Sequence, residues 1–186
     1  MPRKGNYRLF FALFPDEHAT RKMLEVGAEF KSRHRLAGKL HQQNRLHLTL
    51  DHLGDFASKP QDIVDAASIA ASELAAECSS FAVSLDQVVS FGRGRDTRPL
   101  VLRDSAEGNP ELGEFRARLW DALAAGELPG GTRNSFTPHV TLLYDPMVLA
   151  EEAVDAIAWQ AHELVLIHSM MKQTQYEVLG RWALRS

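Results

Sequence analysis

Hydrophobic and polar residues alternate strictly in two short stretches of the chain, residues 45–50 (RLHLTL) and 137–142 (TPHVTL). Successive side chains of a strand point to opposite faces, so this alternation predicts two strands that are each buried on one face. The aliphatic side chains then share the core face. On the other face a histidine and a threonine lie side by side, His47 with Thr49 and His139 with Thr141.

The remaining pattern predicts a mixture of strands and helices. Apolar or alternating runs predict strands at 7–14, 81–91, 99–103, 164–167 and 176–184, and the first of these, apolar on both faces, is expected to be central in its sheet. Helical spacing predicts helices over 16–35, 58–78 and 109–126, with Asp16, Ser58 and Asn109 as N-caps. A short helical or turn segment is expected at 147–156.

Each half of the chain shows the same succession of a strand, a helix and a His-x-Thr strand. His47 and His139 lie 92 positions apart, which is about half of the 186 residues. We interpret this order as a duplicated unit, with two copies that are related by a pseudo-two-fold axis and face each other across a cleft. Chance would give on the order of 0.06 such tetrapeptides in a chain of this composition, so two copies indicate function.

The bulk composition is that of one globular domain covering residues 1–186. A net charge of −3 and a pI near 6.2 argue against a general nucleic-acid coat but are compatible with a local basic groove. The single cysteine, Cys78, excludes an internal disulfide and is expected to be a small buried hydrophobe. With no signal-peptide pattern and no run of ~20 apolar residues, we expect a soluble, cytoplasmic protein.

Two facing histidines and two hydroxyls are sufficient for concerted acid–base chemistry. One imidazole can take a proton from an attacking water while the other gives a proton to a leaving oxygen, because the ordinary pKa of histidine, about 6.5, lies near working pH. Each threonine hydroxyl can donate to an anionic oxygen. This set of groups fits in-line attack of water on a phosphodiester without a metal ion.

A metal site is the competing use of histidine, and the pattern favours it less. Stable sites take three or four ligands, whereas each tetrapeptide adds only a hydroxyl, a poor zinc ligand. Alternation places Asp51 on the His47 face, but the second copy has Leu143 at the equivalent place. The remaining aromatic and imidazole side chains are expected to be ordinary: core for Phe136, Trp159 and Trp182, and surface or edge for His18, His34, His41, His162 and His168.

The motifs and their flanks resemble a known family, the two-histidine phosphoesterases. Within it, the chain is similar to the RNA 2′,3′-cyclic phosphodiesterases, also called the 2′-5′ RNA ligase family. The resemblance spans nearly the whole chain and includes RLFFALFP (8–15), LHLTLDHLG (46–54), SFTPHVTLLYD (135–145) and YEVLGRWAL (176–184). It implies a bilobal α+β fold in which two antiparallel sheets line a V-shaped cleft.

The resemblance also implies an activity and roles for the motif residues. It implies metal-independent opening of a 2′,3′-cyclic phosphate, on an RNA end or a nucleotide, to a 2′-phosphate, with no cofactor. His47 would be the proton donor to the leaving 3′ oxygen and His139 the acceptor that activates water, while Thr49 and Thr141 would hold the phosphate oxygens. Two alternatives stay open: 2′-5′ ligation of RNA ends, such as tRNA halves, at the same site, and a non-catalytic module that binds RNA ends. A monomer is assumed.

The chain departs from the family at one place near the second motif. Many members have Ala-Arg where this chain has Leu143-Tyr144. Arg93 and Arg95, in the Gly-Arg loop at 92–98, are candidates to compensate for the missing arginine. The loop composition by itself favours a hairpin with solvated arginines over a phosphate-binding loop.

Overall fold

The computed structural model describes residues 7–92, 96–105, 108–128, 136–170 and 176–186. Within these ranges there are three α-helices, α1 (Glu17–Arg33), α2 (Gln61–Glu77) and α3 (Pro110–Ala125). The strands are β1 (Tyr7–Leu13), β2 (Leu48–Phe56), β3 (Phe81–Ser90), β4 (Arg98–Arg103), β5 (His139–Asp145), β6 (Glu152–Ala161), β7 (Glu163–Met170) and β8 (Tyr176–Ala183). Arg93 and Arg95, the loop arginines considered above, lie outside the described residues.

The α+β class expected from the sequence is confirmed. The strands form one antiparallel sheet in the order β6-β3-β4-β5-β2-β1-β7-β8. The expectation of two separate sheets is therefore replaced by a single sheet whose two halves meet at β5 and β2, where Leu48 pairs with Val140. The strand β1 lies inside this sheet, between β2 and β7, as its two apolar faces predict.

Four strands lie on each side of the junction between β5 and β2. Outward from the junction come β4 and β1, then β3 and β7, then β6 and β8. The segments β1-α1-β2 and β4-α3-β5 occupy corresponding places, which is the strand–helix–motif order found in the sequence. A division of the chain into two pseudo-symmetric lobes stays a prediction.

Most of the core lies where the helices cover one face of the sheet. Strand residues such as Leu9, Leu48 and Val140 are fully buried there against the apolar positions of the helices. A smaller apolar cluster of Phe10, Ala12, Val165 and Ile167 lies on the other face. Because burial of aliphatic and aromatic surface is the main stabilising term, the sheet face under the helices is fixed and the opposite face is available for chemistry.

Helix boundaries follow the sequence, but only one of the three predicted N-caps bonds to its helix. Asn109 precedes α3 as predicted, yet its side chain bonds to the Ser84 backbone and does not cap the helix. The Asp16 side chain accepts a hydrogen bond from the backbone N–H of Ala19 at 2.7 Å, which makes it the predicted N-cap of α1. The predicted cap Ser58 is wrong, because α2 begins after Pro60 and no side chain caps it. Cys78 follows α2 directly and is buried, as expected.

The helical or turn segment expected at 147–156 is also wrong, because β6 begins at Glu152. The strand lies at the sheet edge and buries Ile157, Trp159 and Ala161 on one face. The alternation of buried and exposed residues is clear only in the second half of β6. The first half of the strand begins with a polar residue and gives no strand signal in the sequence. Trp159 is core, as expected.

A loop between α1 and β2 packs against β5 and brings further polar residues to the sheet. The backbone N–H of Gly38 donates to the Asp145 carboxylate at 2.7 Å, and that of His41 donates to the Leu142 carbonyl at 2.8 Å. Burial raises the pKa of Asp145, but hydrogen bonds from the N–H groups of Met147, Gly38 and Ala37 outweigh it and hold that pKa below its ordinary value. The buried carboxylate therefore anchors the loop as an ion.

No helix in the described part of the chain is both long and apolar enough to cross a membrane.

Replacement of Gly38 tests this packing. A Cβ at Gly38 would lie 2.1 Å from the Tyr144 carbonyl oxygen, so the loop must move away from β5. We expect Gly38→Ala to lower the free energy of unfolding by about 1–3 kcal/mol, measured by urea denaturation. The control is Gly113→Ala on α3, where a Cβ meets nothing within 4 Å and a gain of about 1 kcal/mol is expected. Equal effects of the two substitutions would contradict the packing described.

Candidate active site

The two His-x-Thr motifs lie next to each other at the centre of the sheet. Leu48 pairs with Val140 in antiparallel register, and both are fully buried on the helix side. Counting outward from that pair places His47 opposite Thr141 and Thr49 opposite His139. All four side chains are partly exposed and line one cleft on the face away from the helices. The structure thus brings the four predicted site residues together.

Both imidazoles are held in the same way. Nδ1 of His47 lies 2.8 Å from the Arg45 carbonyl oxygen, and Nδ1 of His139 lies 2.7 Å from the Thr137 carbonyl oxygen. A carbonyl can only accept, so in each ring the hydrogen is on Nδ1. Nε2 is then the nitrogen that each ring offers to a molecule in the cleft. Each histidine is therefore oriented by the carbonyl two residues before it.

Irregularities in β2 and β5 change the faces after each motif. The register between β1 and β2 shifts between Asp51 and Thr49, and that between β4 and β5 shifts between Leu143 and Thr141. Such a bulge reverses the alternation. The expectation that Asp51 shares the His47 face is therefore wrong.

Counted from each motif histidine as the first residue, the bulges bury the fifth residue and expose the sixth. Asp51 is 3% exposed, with its carboxylate 3.9 Å from the Arg116 guanidinium on α3, and Leu143 is fully buried. The next residues along the chain, His52 and Tyr144, line the cleft instead. They stand at corresponding positions of the two strands.

The cleft has a volume of about 520 Å³ and carries basic and hydroxyl groups. Its basic side chains are Arg8, Arg45, His41, His47, His52 and His139, and no carboxylate belongs to its described lining. A protein of net charge −3 thus has a local surface suited to an anion.

Both cleft arginines are positioned by neighbours. Nε and a terminal nitrogen of Arg8 donate to the two Asp55 carboxylate oxygens at 2.8 and 3.0 Å. The hydrogen bond from Arg8 outweighs burial and holds the pKa of Asp55 at about 2, so this carboxylate is charged. The guanidinium of Arg45 lies over the Tyr176 ring, 3.9 Å from its centroid. Tyr176 in turn packs edge-on against His47, at 5.2 Å between ring centroids.

Several cleft residues were missed by the sequence reasoning. His41 is in the lining and is not an ordinary surface residue, since the loop pairing described above delivers it. Arg45 shares the alternation of His47 and Thr49, and that signal could have identified it. His52 and Tyr176 had no local signal in the sequence. His52 reaches the cleft because of the bulge in β2, and Tyr176 reaches it because β8 pairs with β7. His168 is also not a surface residue: it is 4% exposed, with Nδ1 2.8 Å from Glu177.

Electrostatics distinguish His47 within this group. Its pKa is lowered to about 4, first by burial and then by the positive charge of Arg45 and by His41 and His139 when these are protonated, although the bond to the Arg45 carbonyl raises it. His47 is therefore neutral at pH 7 in the free protein. Among the described residues, no three His, Cys, Asp or Glu side chains cluster as a metal site would require.

Comparisons with known proteins agree with the fold and with the motifs. Residues 14–170 match the family model described as the 2′-5′ RNA ligase superfamily. The fold, with its paired His-x-Thr strands, is that of a two-histidine phosphoesterase. The chain belongs to the 2′-5′ RNA ligase superfamily. No curated protein matched the chain.

Solved structures show the same fold. The apo structure of Escherichia coli LigT is 24% identical, with a TM-score of 0.72 and coverage of 96% of this chain and 98% of that one. The protein TT0787 of Thermus thermophilus is 25% identical, with a TM-score of 0.73 and the same coverages of 96% and 98%. Usb1 of Kluyveromyces marxianus is more distant, at 14% identity and a TM-score of 0.60 over 98% of this chain and 100% of that one.

The lowered pKa of His47 predicts a pH dependence of stability. The unfolded chain binds a proton at this site from about pH 6.5 downward, whereas the folded protein does so only near its pKa of about 4. The free energy of unfolding is thus highest above pH 6.5 and falls as the pH decreases toward 4. Between pH 7 and pH 5 we expect His47→Gln to lose about 1–2 kcal/mol less than the wild type, by urea denaturation. An identical loss in both proteins would contradict the lowered pKa.

Proposed function

We propose that this protein is a metal-independent RNA 2′,3′-cyclic phosphodiesterase that opens a terminal 2′,3′-cyclic phosphate to a 2′-phosphate. The observation that carries the proposal is the paired orientation of His47 and His139. Each ring has Nδ1 beside a carbonyl oxygen, which leaves Nε2 as the nitrogen for a ligand, and the two rings lie in one basic cleft with Thr49 and Thr141. Two imidazoles of that kind supply one proton acceptor and one proton donor to an ester between them.

The proposed reaction uses each group once. Nε2 of His139 accepts a proton from water as the water oxygen bonds to phosphorus. The bond between phosphorus and O3′ breaks, and O3′ takes the proton from Nε2 of His47. The hydroxyls of Thr49 and Thr141 donate hydrogen bonds to the two non-bridging oxygens, where charge increases in the transition state. The products are a 3′-hydroxyl and a 2′-phosphate.

Both the family and the cleft chemistry support an RNA end or a nucleotide as the substrate. Escherichia coli LigT has been crystallised with 3′-AMP and with ATP, and the superfamily is described by its RNA ligase activity. In this chain the basic lining provides the matching attraction for a phosphate group. Ligation, in which a ribose hydroxyl replaces water as the attacking group, would use the same histidines.

Hydrolysis of a short RNA that ends in a 2′,3′-cyclic phosphate, with EDTA present, tests the proposal. The wild type is expected to give only the 2′-phosphate, and His47→Ala and His139→Ala are each expected to lose at least about 100-fold in rate, as removal of a general acid or base does. Product identity and initial rates are measured by chromatography. Thr49→Val and Thr141→Val are expected to reduce the rate while keeping the same product, since only a hydrogen bond to phosphate is lost.

Three outcomes would change the assignment. Loss of activity in EDTA that a divalent cation restores would indicate a metal-dependent hydrolysis. A 3′-phosphate product would reverse which ester bond is broken and hence the donor role of His47. An inactive wild type that still binds the RNA end would leave the chain as a binding module.

His162→Ala serves as the control, because His162 is exposed and not part of the cleft lining.

The donor role of His47 makes a second, independent prediction. With a pKa of about 4, the free imidazole lacks the proton that a donor must carry at pH 7. An anionic phosphate beside it favours the charged form, so a bound phosphate is expected to raise the pKa of His47 by at least one unit. Nuclear magnetic resonance titration of the ring proton, with and without adenosine 2′-monophosphate, measures the shift. A pKa that stays near 4 in the complex would assign the donor role elsewhere.

A further inference from the structure

Tyr144 is an aromatic residue in the cleft that the proposed reaction does not use. It lines the cleft together with both motif histidines, and 49% of its surface is exposed. Its neighbours on β5, Leu142 and Leu143, are 1% and 0% exposed and supply the core contacts of this part of the strand. The exposed surface of the tyrosine ring is therefore open to a molecule in the cleft.

The backbone at Tyr144 is fixed from two sides. The register shift after Thr141 turns residue 144 toward the cleft. On the other side, the loop at Gly38 is in direct contact with the Tyr144 carbonyl, and the next residue, Asp145, is anchored by the Gly38 N–H. A ring on such a support binds a flat ligand without having to be ordered first.

His41 lies beside Tyr144 in the cleft lining, and the two side chains together form an aromatic wall of the cleft. Its ring lies 5.8 Å from that of Tyr144, with an angle of 75° between the planes. Burial and then the charge of Arg45 lower the pKa of His41 below its ordinary value, which favours the uncharged imidazole. The edge-to-face pair is a favourable aromatic arrangement and stabilises this orientation of the Tyr144 ring. Charge is thus concentrated at the motifs, and an uncharged aromatic wall stands beside them.

We propose that Tyr144, supported by His41, is the platform on which the base of the terminal nucleotide stacks. This inference rests on the proposed function and names a substrate class for it: cyclic phosphates that carry a nucleobase, with purines held more tightly than pyrimidines because their stacking area is larger. Recognition by stacking is tolerant of base identity, so the platform selects for a base and not for a sequence.

Steady-state hydrolysis of three substrates tests the platform: 2′,3′-cyclic AMP, 2′,3′-cyclic CMP and ribose 2,3-cyclic phosphate, which has no base. Tyr144→Ala is expected to raise KM for cyclic AMP about tenfold, to raise it less for cyclic CMP, and to leave kcat within about twofold. KM for the baseless substrate should not change. Tyr144→Phe should behave like the wild type, since the ring is retained.

The matched control is Met147→Ala, another exposed apolar side chain of the segment that follows the second motif, 47% exposed but outside the cleft lining. It should leave all three KM values unchanged. Unchanged KM for cyclic AMP in Tyr144→Ala, or an equal rise for the baseless substrate, would overturn the inference. Loss of activity in Tyr144→Phe as well would assign the hydroxyl, and not the ring, to the substrate.

A binding measurement separates this inference from the proposed function. Isothermal titration of the wild type and Tyr144→Ala with adenosine 2′-monophosphate and with ribose 2-phosphate requires no turnover. If no cyclic phosphate is hydrolysed, the proposed function fails, and a roughly tenfold weaker binding of the adenosine compound alone still supports the platform. Equal affinities of the two proteins for the adenosine compound would reject the platform even if hydrolysis is observed.

Discussion

The pairing of Leu48 with Val140 is the contact on which the arrangement of the site depends. It joins the two halves of the sheet and buries both side chains under the helices. Because strand side chains alternate, it forces the residues on either side of each partner to the opposite face. The histidines and threonines are brought together by the same register that closes the core. One backbone pairing thus contributes to both the core and the site.

The electrostatic character of the site follows from what surrounds that pairing. Basic groups come from β1, from the loop before β2 and from both motif strands, while the acidic Asp55 is occupied by Arg8. Burial and neighbouring positive charge keep His47 neutral until an anion enters. In the free protein the surroundings of His47 therefore disfavour its protonated form. A bound phosphate is negatively charged and would favour that form.

Periodicity in the sequence was sufficient for the motif strands, for most element boundaries and for the placing of His47, Thr49, His139 and Thr141 on one face. It was insufficient where alternation breaks. The bulge in β2 reverses the faces of Asp51 and His52, and nothing in the local composition marks it. His41 and Tyr176 reach the cleft through a loop contact and a strand pairing far away in the chain, and such contacts have no local signature. The edge strand β6 was missed because its polar first residues conceal the alternation that follows.

The bond between each Nδ1 and the carbonyl two residues earlier has a consequence for how the site can change over time. One contact that orients each imidazole lies within a three-residue segment, 45–47 or 137–139. Aromatic neighbours of the rings, such as Tyr176 at His47 and Phe91 at His139, come from elsewhere in the chain. Loops and helices away from these neighbours can therefore be remodelled while the carbonyl contact of each ring is kept. The contact that orients each histidine can thus be retained while the residues that determine which ligand binds in the cleft change.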